Sequence, residues 1–323
     1  MPSEFDLIRR YFTRPTPHTA LGIGDDAALL QPGAGMQLAV SSDTLVSGVH
    51  FFPDTDPRDL GWKTLAVNLS DLAAMGAQPR WATLALTLPH ADERWLSAFA
   101  AGFFACATAY ATDLVGGDTT RGPLAMTVTI IGEVPPGAAI TRSGGRAGDD
   151  IWISGHPGLA ALGLAAMQGK IELEGAHLEP ALAALHHPLP RLELGLALRG
   201  IAHAMLDVSD GLSGDLGHLC ARSGCGAVLD PAALPCAPLL ASGADAAFAQ
   251  RCLLAGGDDY ELLFSAHPGQ RAAVNALARR LELPLHRIGC LTPLAPGSGP
   301  IRLRAGNSGS QELDIGSYDH FGA

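Results

Sequence analysis

Six short clusters of aspartate beside glycine or serine punctuate this chain: GIGDDA (22–27), SSDT (41–44), NLSD (68–71), GGDTTRG (116–122), DVSDG (207–211) and GGDDYE (256–261). Between them, strand-like and helix-like segments alternate from about residue 21 onward. QLAVSSDTL (37–45), WATLALTLP (81–89) and LAMTVTIIGEV (124–134) read as strands. DLGWKTLAVNLSDLAAMG carries Trp62, Leu65, Leu69, Leu72 and Met75 at helical spacing, with Gly76 as its stop. A second helix runs from Asp92, an acid suited to a helix N-terminus, to about Ala111. After a Gly- and Pro-rich stretch (135–150) the rhythm resumes: strand DIWISG, helix GLAALGLAAMQG, helix RLELGLALRGIA, strand HAMLDVS, helix GLSGDLGHLCARSG, then strands CGAVLD, YELLFSAH and LHRIGCLTP. His186–His187, before Pro188, reads as a loop without function. The pattern predicts an α/β (α+β) protein of two domains, 1–136 and 137–323, which suits 323 residues.

Aspartate beside glycine is ordinary turn chemistry at any one place. Its recurrence at the expected ends of strands, where open α/β structures bind ligands, points to a site. Carboxylates gathered together repel unless cations hold them, and oxygen donors of this kind suit Mg²⁺, which pairs with phosphates. Thr64, Asn68 and Asp71 fall at i, i+4 and i+7, a polar stripe that serves either as an exposed helix face or as a ligand row.

Composition narrows the partners. Lys+Arg 21 against Asp+Glu 32 leaves a formal net charge of −11, and Lys63 and Lys170 are the sole lysines. That balance lacks the basic footprint of a nucleic-acid binder. An acidic chain that handles phosphates must recruit metal cations, with Arg121 (in GGDTTRG) and Arg142 (in TRSGG) as the arginines in suitable company. Hydrophobic residues at 47% and charged residues at 16% exclude intrinsic disorder. The six cysteines form no CxxC pair, which fits buried thiols in a reducing compartment. MPSEFDLIRRYF has no signal-peptide pattern and no apolar run reaches membrane-spanning length, so the expected location is cytoplasmic, without membrane association.

Familiar motifs fail on inspection. GIGDDA matches GxGxxA, but two carboxylates where a pyrophosphate meets backbone N–H groups argue against a dinucleotide fold. There is no GxxxxGK[ST], HExxH or GxSxG, and DVSDGLSGDLGH places Gly211 at position five of an EF-hand loop rather than six. His50, seven residues past Asp43 of SSDT and followed by Phe51 and Phe52, is either structural or part of an aromatic-lined pocket.

Taken in order, LGIGDDAALL, SSDTLVSGVHF, KTLAVNLSDLAAMGAQP, GGDTTRGPLAMTVTIIGEVP, TRSGGRAGDDIWISG, LDVSDGLSGDLGHL, GGDDYELLF and the terminal YDHF resemble the thiamine-monophosphate kinases of the aminoimidazole-ribonucleotide-synthetase-like superfamily. The resemblance spans essentially the whole chain. It implies ATP-dependent phosphorylation of thiamine monophosphate to thiamine diphosphate by direct in-line transfer with several Mg²⁺ ions. It also implies a ferredoxin-like N-terminal domain that binds ATP and Mg²⁺ and pairs with a second copy, and a C-terminal AIR-synthetase-like domain. The residues it marks as metal ligands are Asp26, Ser41, Ser42, Asp43, Asp71, Asp118, Asp207 and Asp210, with Asp43, Asp71 and Asp210 as the catalytic carboxylates. Gly117, Asp118, Arg142 and Ser209 match nucleotide contacts, and His50 matches a substrate contact. Two substrate positions depart from the family: Asp258 stands where glutamate is common, and Ile315 where an aromatic is common, with Tyr318 and Phe321 nearby. MTVTIIG, read as an edge strand, marks the apolar segment 124–134, which together with 81–89 would be paired across a dimer. Two alternatives stay open: another ATP-dependent enzyme of the superfamily, or a non-catalytic metal-binding protein. A selenophosphate synthetase would carry a reactive Cys in its N-terminal loop, and residues 1–30 hold none.

Overall fold

A computed structural model describes residues 3–294, 299–305 and 309–313. The α/β expectation holds: the chain forms two mixed sheets, in two compact units. One unit takes in the chain up to Leu72 together with Ala77–Gly137; the other takes in Ala73–Gly76 and the chain from Ala138 onward.

The first unit runs α1 (Glu4–Leu7), β1 (Gln37–Val46), α2 (Pro57–Ala74), β2 (Gln78–Leu88), α3 (Glu93–Ala109), β3 (Asp113–Arg121) and β4 (Ala125–Val134). Its sheet has the order β1-β4-β2-β3; β2 and β3 are parallel and the other pairs antiparallel. Alternation does the sorting: Met126, Val128 and Ile130 of β4 are buried because every second side chain faces the same side. Asp92 caps α3, accepting from the Arg94 and Trp95 amides. Gly76 ends the α2 turn as expected, at φ +60, where the Ala77 amide reaches back to Leu72 O (2.8 Å).

Two expectations for this unit are corrected. MTVTIIG is not an edge, because β4 lies between β1 and β2; the edges are β1 and β3. SSDT, expected at a strand end, sits in the middle of β1, and GGDTTR, also expected at a strand end, forms the second half of β3. The register explains that strand: β2 and β3 slip between Ala82 and Thr83, so Val115 is an extra residue, and glycine is what a strand uses at such a bulge.

The second unit contains β5 (Asp150–Ser154), α4 (Leu159–Met167), α5 (Gly175–His186), α6 (Leu192–Ala197), β6 (Ala202–Val208), α7 (Leu212–Ser223), β7 (Cys225–Leu229), α8 (Ala237–Ala241), α9 (Ala246–Ala255), β8 (Glu261–Ala266), α10 (Arg271–Arg280), β9 (Leu285–Pro293), β10 (Ile301–Ala305) and β11 (Gly309–Glu312). The sheet order is β11-β10-β7-β9-β5-β8-β6. Ile151, Ile153, Leu206, Val208 and Leu263 meet Leu216 and Leu219 of α7 in the core. β5 and β8 are buried along their whole length, which is why they read as continuous apolar runs rather than alternating ones. The loop expected around His186 is corrected: His186 is the last residue of α5, a helix that carries Pro180 inside it. The short strands β10 and β11 also went unread. All six cysteines are free thiols, and four are buried.

Candidate functional site

In the first unit, two residues of α2 are brought to β1. Asn68 Oδ1 accepts from the Asp43 amide (3.0 Å) and Asp71 Oδ2 accepts from Ser41 Oγ (2.5 Å). One turn earlier Thr64 closes on its own helix, donating to Leu60 O (2.7 Å), while Asn68 Nδ2 donates to Thr64 O (3.0 Å). Of the two readings of this polar stripe, the exposed helix face is excluded: Thr64 and Asn68 are each 1% exposed. The stripe docks the helix against the strand instead, and a buried amide at Asn68 is stabilised because its hydrogen bonds are made. The period of two along β1 then assigns the faces. Ser41 and Asp43 share the side toward α2. Ser42 lies on the opposite side, where its hydroxyl donates to Val128 O (3.0 Å) and pairs with Thr129 Oγ1 (3.0 Å). The Ser42 hydroxyl is therefore not brought together with Ser41, Asp43 and Asp71.

Gly117 and Asp118 are exposed in the outer half of β3. Gly117 has φ +149, and a Cβ there would stand 1.8 Å from Leu84 O; only glycine lets β3 approach β2 in this register. Arg121 is exposed at the end of the same strand. Asp26 is exposed on a loop closed by paired backbone hydrogen bonds between Leu21 and Leu29 (3.2 and 2.8 Å). His50 turns back on β1: Nδ1 accepts from the Val46 amide (3.0 Å), which assigns the ring proton to Nε2.

In the second unit, Asp207 is buried near the end of β6, and Ser209 and Asp210 follow it. Asp215, in the first turn of α7, accepts from both the Ser209 and the Asp210 amides (3.1 Å each). Burial pushes the Asp215 carboxyl up to about 7, opposed by the Asp210 amide, and the neighbouring Asp210 charge adds to the rise. Sequence reasoning missed Asp215; the signal was an acid in the first turn of a helix that opens directly after DVSDG.

GGDDYE packs against that loop through its backbone. Ser209 O accepts from the Asp258 amide (2.9 Å) and Val208 O from the Tyr260 amide (2.8 Å). A Cβ on Gly257 would stand 2.5 Å from Ser209 O. Asp258 and Tyr260 adopt left-handed φ values of +67 and +51, conformations that cost side-chain-bearing residues about 1 kcal/mol or more. The Tyr260 hydroxyl donates to Asp258 Oδ1 (3.1 Å), so Asp258 is oriented by its own segment. The next acid does a different job: both oxygens of Asp259 accept from the Gly158 amide at the start of α4 (2.8 Å each), and burial raises its pKa well above the usual range. Glu261 is held by Ser154 (2.5 Å) and by a two-pronged Arg191 (2.7 and 2.5 Å). Arg142 stands in the TRSGG segment. Ile315, Tyr318 and Phe321 lie outside the described residues.

Both groups offer hydroxyl and carboxylate oxygens, the donor chemistry of a hard cation such as Mg²⁺. Among the described residues no three His, Cys, Asp or Glu side chains gather closely enough to hold an ion by themselves. Pairs such as Ser41–Asp71 fit an ion that takes one or two carboxylates from the protein and the rest of its shell from phosphates and water. Thiol chemistry is disfavoured: burial pushes Cys220 up to about 12 and Cys252 to about 11, so neither carries appreciable thiolate near neutrality.

Residues 24–134 match the model for the AIR synthase related protein N-terminal domain, and residues 146–295 match the C-terminal domain of the same family. Thiamine-monophosphate kinase of Escherichia coli (strain K12) is 47% identical over 322 residues, 98% of each chain. The crystal structure of thiamine-monophosphate kinase from Stenotrophomonas maltophilia K279a superposes with a TM-score of 0.83 at 51% identity, covering 89% of this chain and 91% of that one. AaThiL complexed with AMPPCP and TMP superposes at 0.76 with 26% identity, covering 93% of this chain and 92% of that one.

Proposed function

The chain belongs to the AIR synthase related family and, within it, to the thiamine-monophosphate kinases, and on that premise we propose that it transfers the γ-phosphoryl group of ATP to thiamine monophosphate, giving thiamine diphosphate. The observation that carries this reading is the near-full-length likeness at 47% identity. AMPPCP and TMP are the ligands of the structurally similar AaThiL, an ATP analogue and the acceptor of the same reaction.

Phosphoryl transfer asks for in-line positioning and for neutralisation of charge on the moving group. Here donor and acceptor are both phosphates, so repulsion between them must be overcome first. Mg²⁺ supplies that neutralisation when bound. Asp26, Ser41, Asp43, Asp71, Asp118, Asp207 and Asp210 are the residues assigned to hold it; Ser42 is set aside because its hydroxyl is bonded to β4 on the opposite face of the strand. The hydrogen bonds from Ser41 to Asp71 and from the Asp43 amide to Asn68 support that assignment, because they fix the Asp71 carboxylate and the backbone that carries Asp43 before any ligand arrives. Gly117, Asp118, Ser209 and Arg142 bind the nucleotide. His50 and Asp258 bind thiamine monophosphate. No general base is needed, since a phosphate oxygen of the acceptor is already ionised near neutral pH.

Transfer is direct. The raised Cys pKa values support this, and carboxylates engaged by cations are poor nucleophiles. The N-terminal domain pairs with a second copy through its sheet. Support comes from β1 rather than from the strands expected, 81–89 and 124–134, which are the inner ones: Leu38 and Val40 on β1 are 46% and 62% exposed. The enzyme works in the cytoplasm; among the described residues no helix is long and apolar enough to cross a membrane.

ATP consumption that depends on added thiamine monophosphate, with thiamine diphosphate as product, tests the activity in one assay. Turnover with a different acceptor would favour another enzyme of the superfamily, and metal binding without turnover a non-catalytic protein. Direct transfer predicts inversion at a chiral γ-phosphate; retention would mean a covalent intermediate. Light scattering at micromolar concentration is expected to give the dimer mass.

A further inference from the structure

The TRSGG segment, residues 141–145, has no secondary structure of its own, so something outside it must give Arg142 a fixed place. Its entry is pinned by Thr141 O, which accepts from the Met205 amide of β6 (3.0 Å). Within it Thr141 Oγ1 donates to Ser143 O (2.6 Å). Beyond the Thr141–Ser143 hydroxyl pair and a Cys225 Sγ contact to Gly145 O (3.6 Å), the rest of the turn is held by one hydroxyl. Ser223, the last residue of α7, donates through Oγ to Arg142 O (3.0 Å) and accepts from the Gly145 and Gly144 amides (3.1 and 3.3 Å). A serine hydroxyl has one proton and two lone pairs, so the whole hydrogen-bonding capacity of Ser223 goes to this one turn.

The helix behind it is a firm support. Leu212, Leu216, Leu219 and Cys220 are fully buried, and Gly224 closes the helix in the left-handed conformation at φ +65, independently of the Ser223 side chain. The same helix holds the Ser209 and Asp210 amides through Asp215 at its other end. One rigid element thus sets the backbone of two segments assigned to the nucleotide.

We infer that Ser223 is a positioning residue for ATP: it fixes the backbone carrying Arg142 so that the guanidinium is presented to the phosphates. This rests on the reading of Arg142 as a nucleotide contact of the kinase. Ser223 touches no substrate itself. Its loss leaves α7 and its core intact, but lets the Arg142 turn relax toward other conformations, and a small misplacement of a phosphate clamp is costly.

The test is steady-state kinetics and melting of the full chain for Ser223→Ala, Ser223→Thr, Arg142→Ala and the Arg142→Ala/Ser223→Ala double variant. Ser223→Ala is expected to raise KM for ATP about 5- to 10-fold, with kcat and KM for thiamine monophosphate within about 2-fold. Its melting temperature should stay within about 2 °C of the parent. Ser223→Thr, which keeps the hydroxyl, should restore KM for ATP. On the Arg142→Ala background the Ser223→Ala change should add little, because the two act through one contact. Full additivity in the double variant, or parallel rises in both KM values with a large fall in melting temperature, overturns the inference. An unchanged KM for ATP in Ser223→Ala beside a raised one in Arg142→Ala overturns it while sparing the reading beneath it. An unchanged KM for ATP in Arg142→Ala, with turnover intact, overturns that reading and the inference together.

Discussion

The two units hold their acidic groups by different means. In the first, Ser41, Asp43 and Asp71 stand on a strand and a helix, and the links between them are made by side chains: Asn68 to the Asp43 amide, Ser41 to Asp71. In the second, Ser209, Asp210 and Asp258 stand on loops, and the links that join one loop to the other are backbone to backbone, from the Asp258 and Tyr260 amides to Ser209 O and Val208 O. Regular elements have satisfied backbones, so their side chains must do the joining. Loops have backbone groups to place, and placing them close together demands small residues and left-handed conformations. The comparison teaches that truncating side chains should damage the first group most, and adding a Cβ should damage the second.

The largest effect is expected from Asp43→Asn and Asp71→Asn, each lowering kcat at least ~10²-fold. Asn keeps the size and the acceptor for Ser41 at position 71, so melting temperature should change little; a large fall would mean that these carboxylates serve the fold. Gly257→Ala comes next. Its Cβ would crowd Ser209 O, and the loop must shift at a cost of about 1–3 kcal/mol, read as a lower melting temperature together with weaker nucleotide binding. An unchanged melting temperature would break the contrast between the units.

Asn68→Ala is the matching truncation in the first unit. It leaves the Asp43 amide and a buried pocket unsatisfied, for about 1–3 kcal/mol of stability and a reduced kcat. If Asn68→Ala were silent and Gly257→Ala harmful, side-chain links would not be what orders the first group.

The smallest effect concerns pH. Burial alone would raise the Glu133 carboxyl, but the Gly33 amide (2.5 Å) and Arg80 (2.9 Å) outweigh it and hold its pKa below the ordinary value. A depressed acid contributes stability that is present above its unfolded pKa and lost as pH falls through the folded one. The melting-temperature gap between the parent and Glu133→Gln should therefore be widest near neutrality and shrink below about pH 4. A gap that stays constant with pH would assign the effect to packing.

How much was legible follows the same division. The helix from Pro57 to Ala74 and its stop at Gly76 could be read because apolar spacing and a terminal glycine are local signals. The faces of β1 follow from a period of two. By contrast β3 was hidden, since Gly116 and Gly117 mimic a turn unless the neighbouring strand is known. Ser223 was hidden too, because its role depends on a Gly145 amide 78 residues earlier in the chain.

The sequence by itself determined the α/β class, the order of the acidic clusters and the family they resemble, because periodicity, capping and motif order are written along the chain. Only the tertiary structure decided which strands are inner and which are edges, and which face of β1 meets α2. It alone showed Asp258 and Asp259, adjacent in sequence, turning to different tasks. Strand order and hydrogen-bond partners arise from pairings between residues far apart in the chain, and no local pattern specifies them.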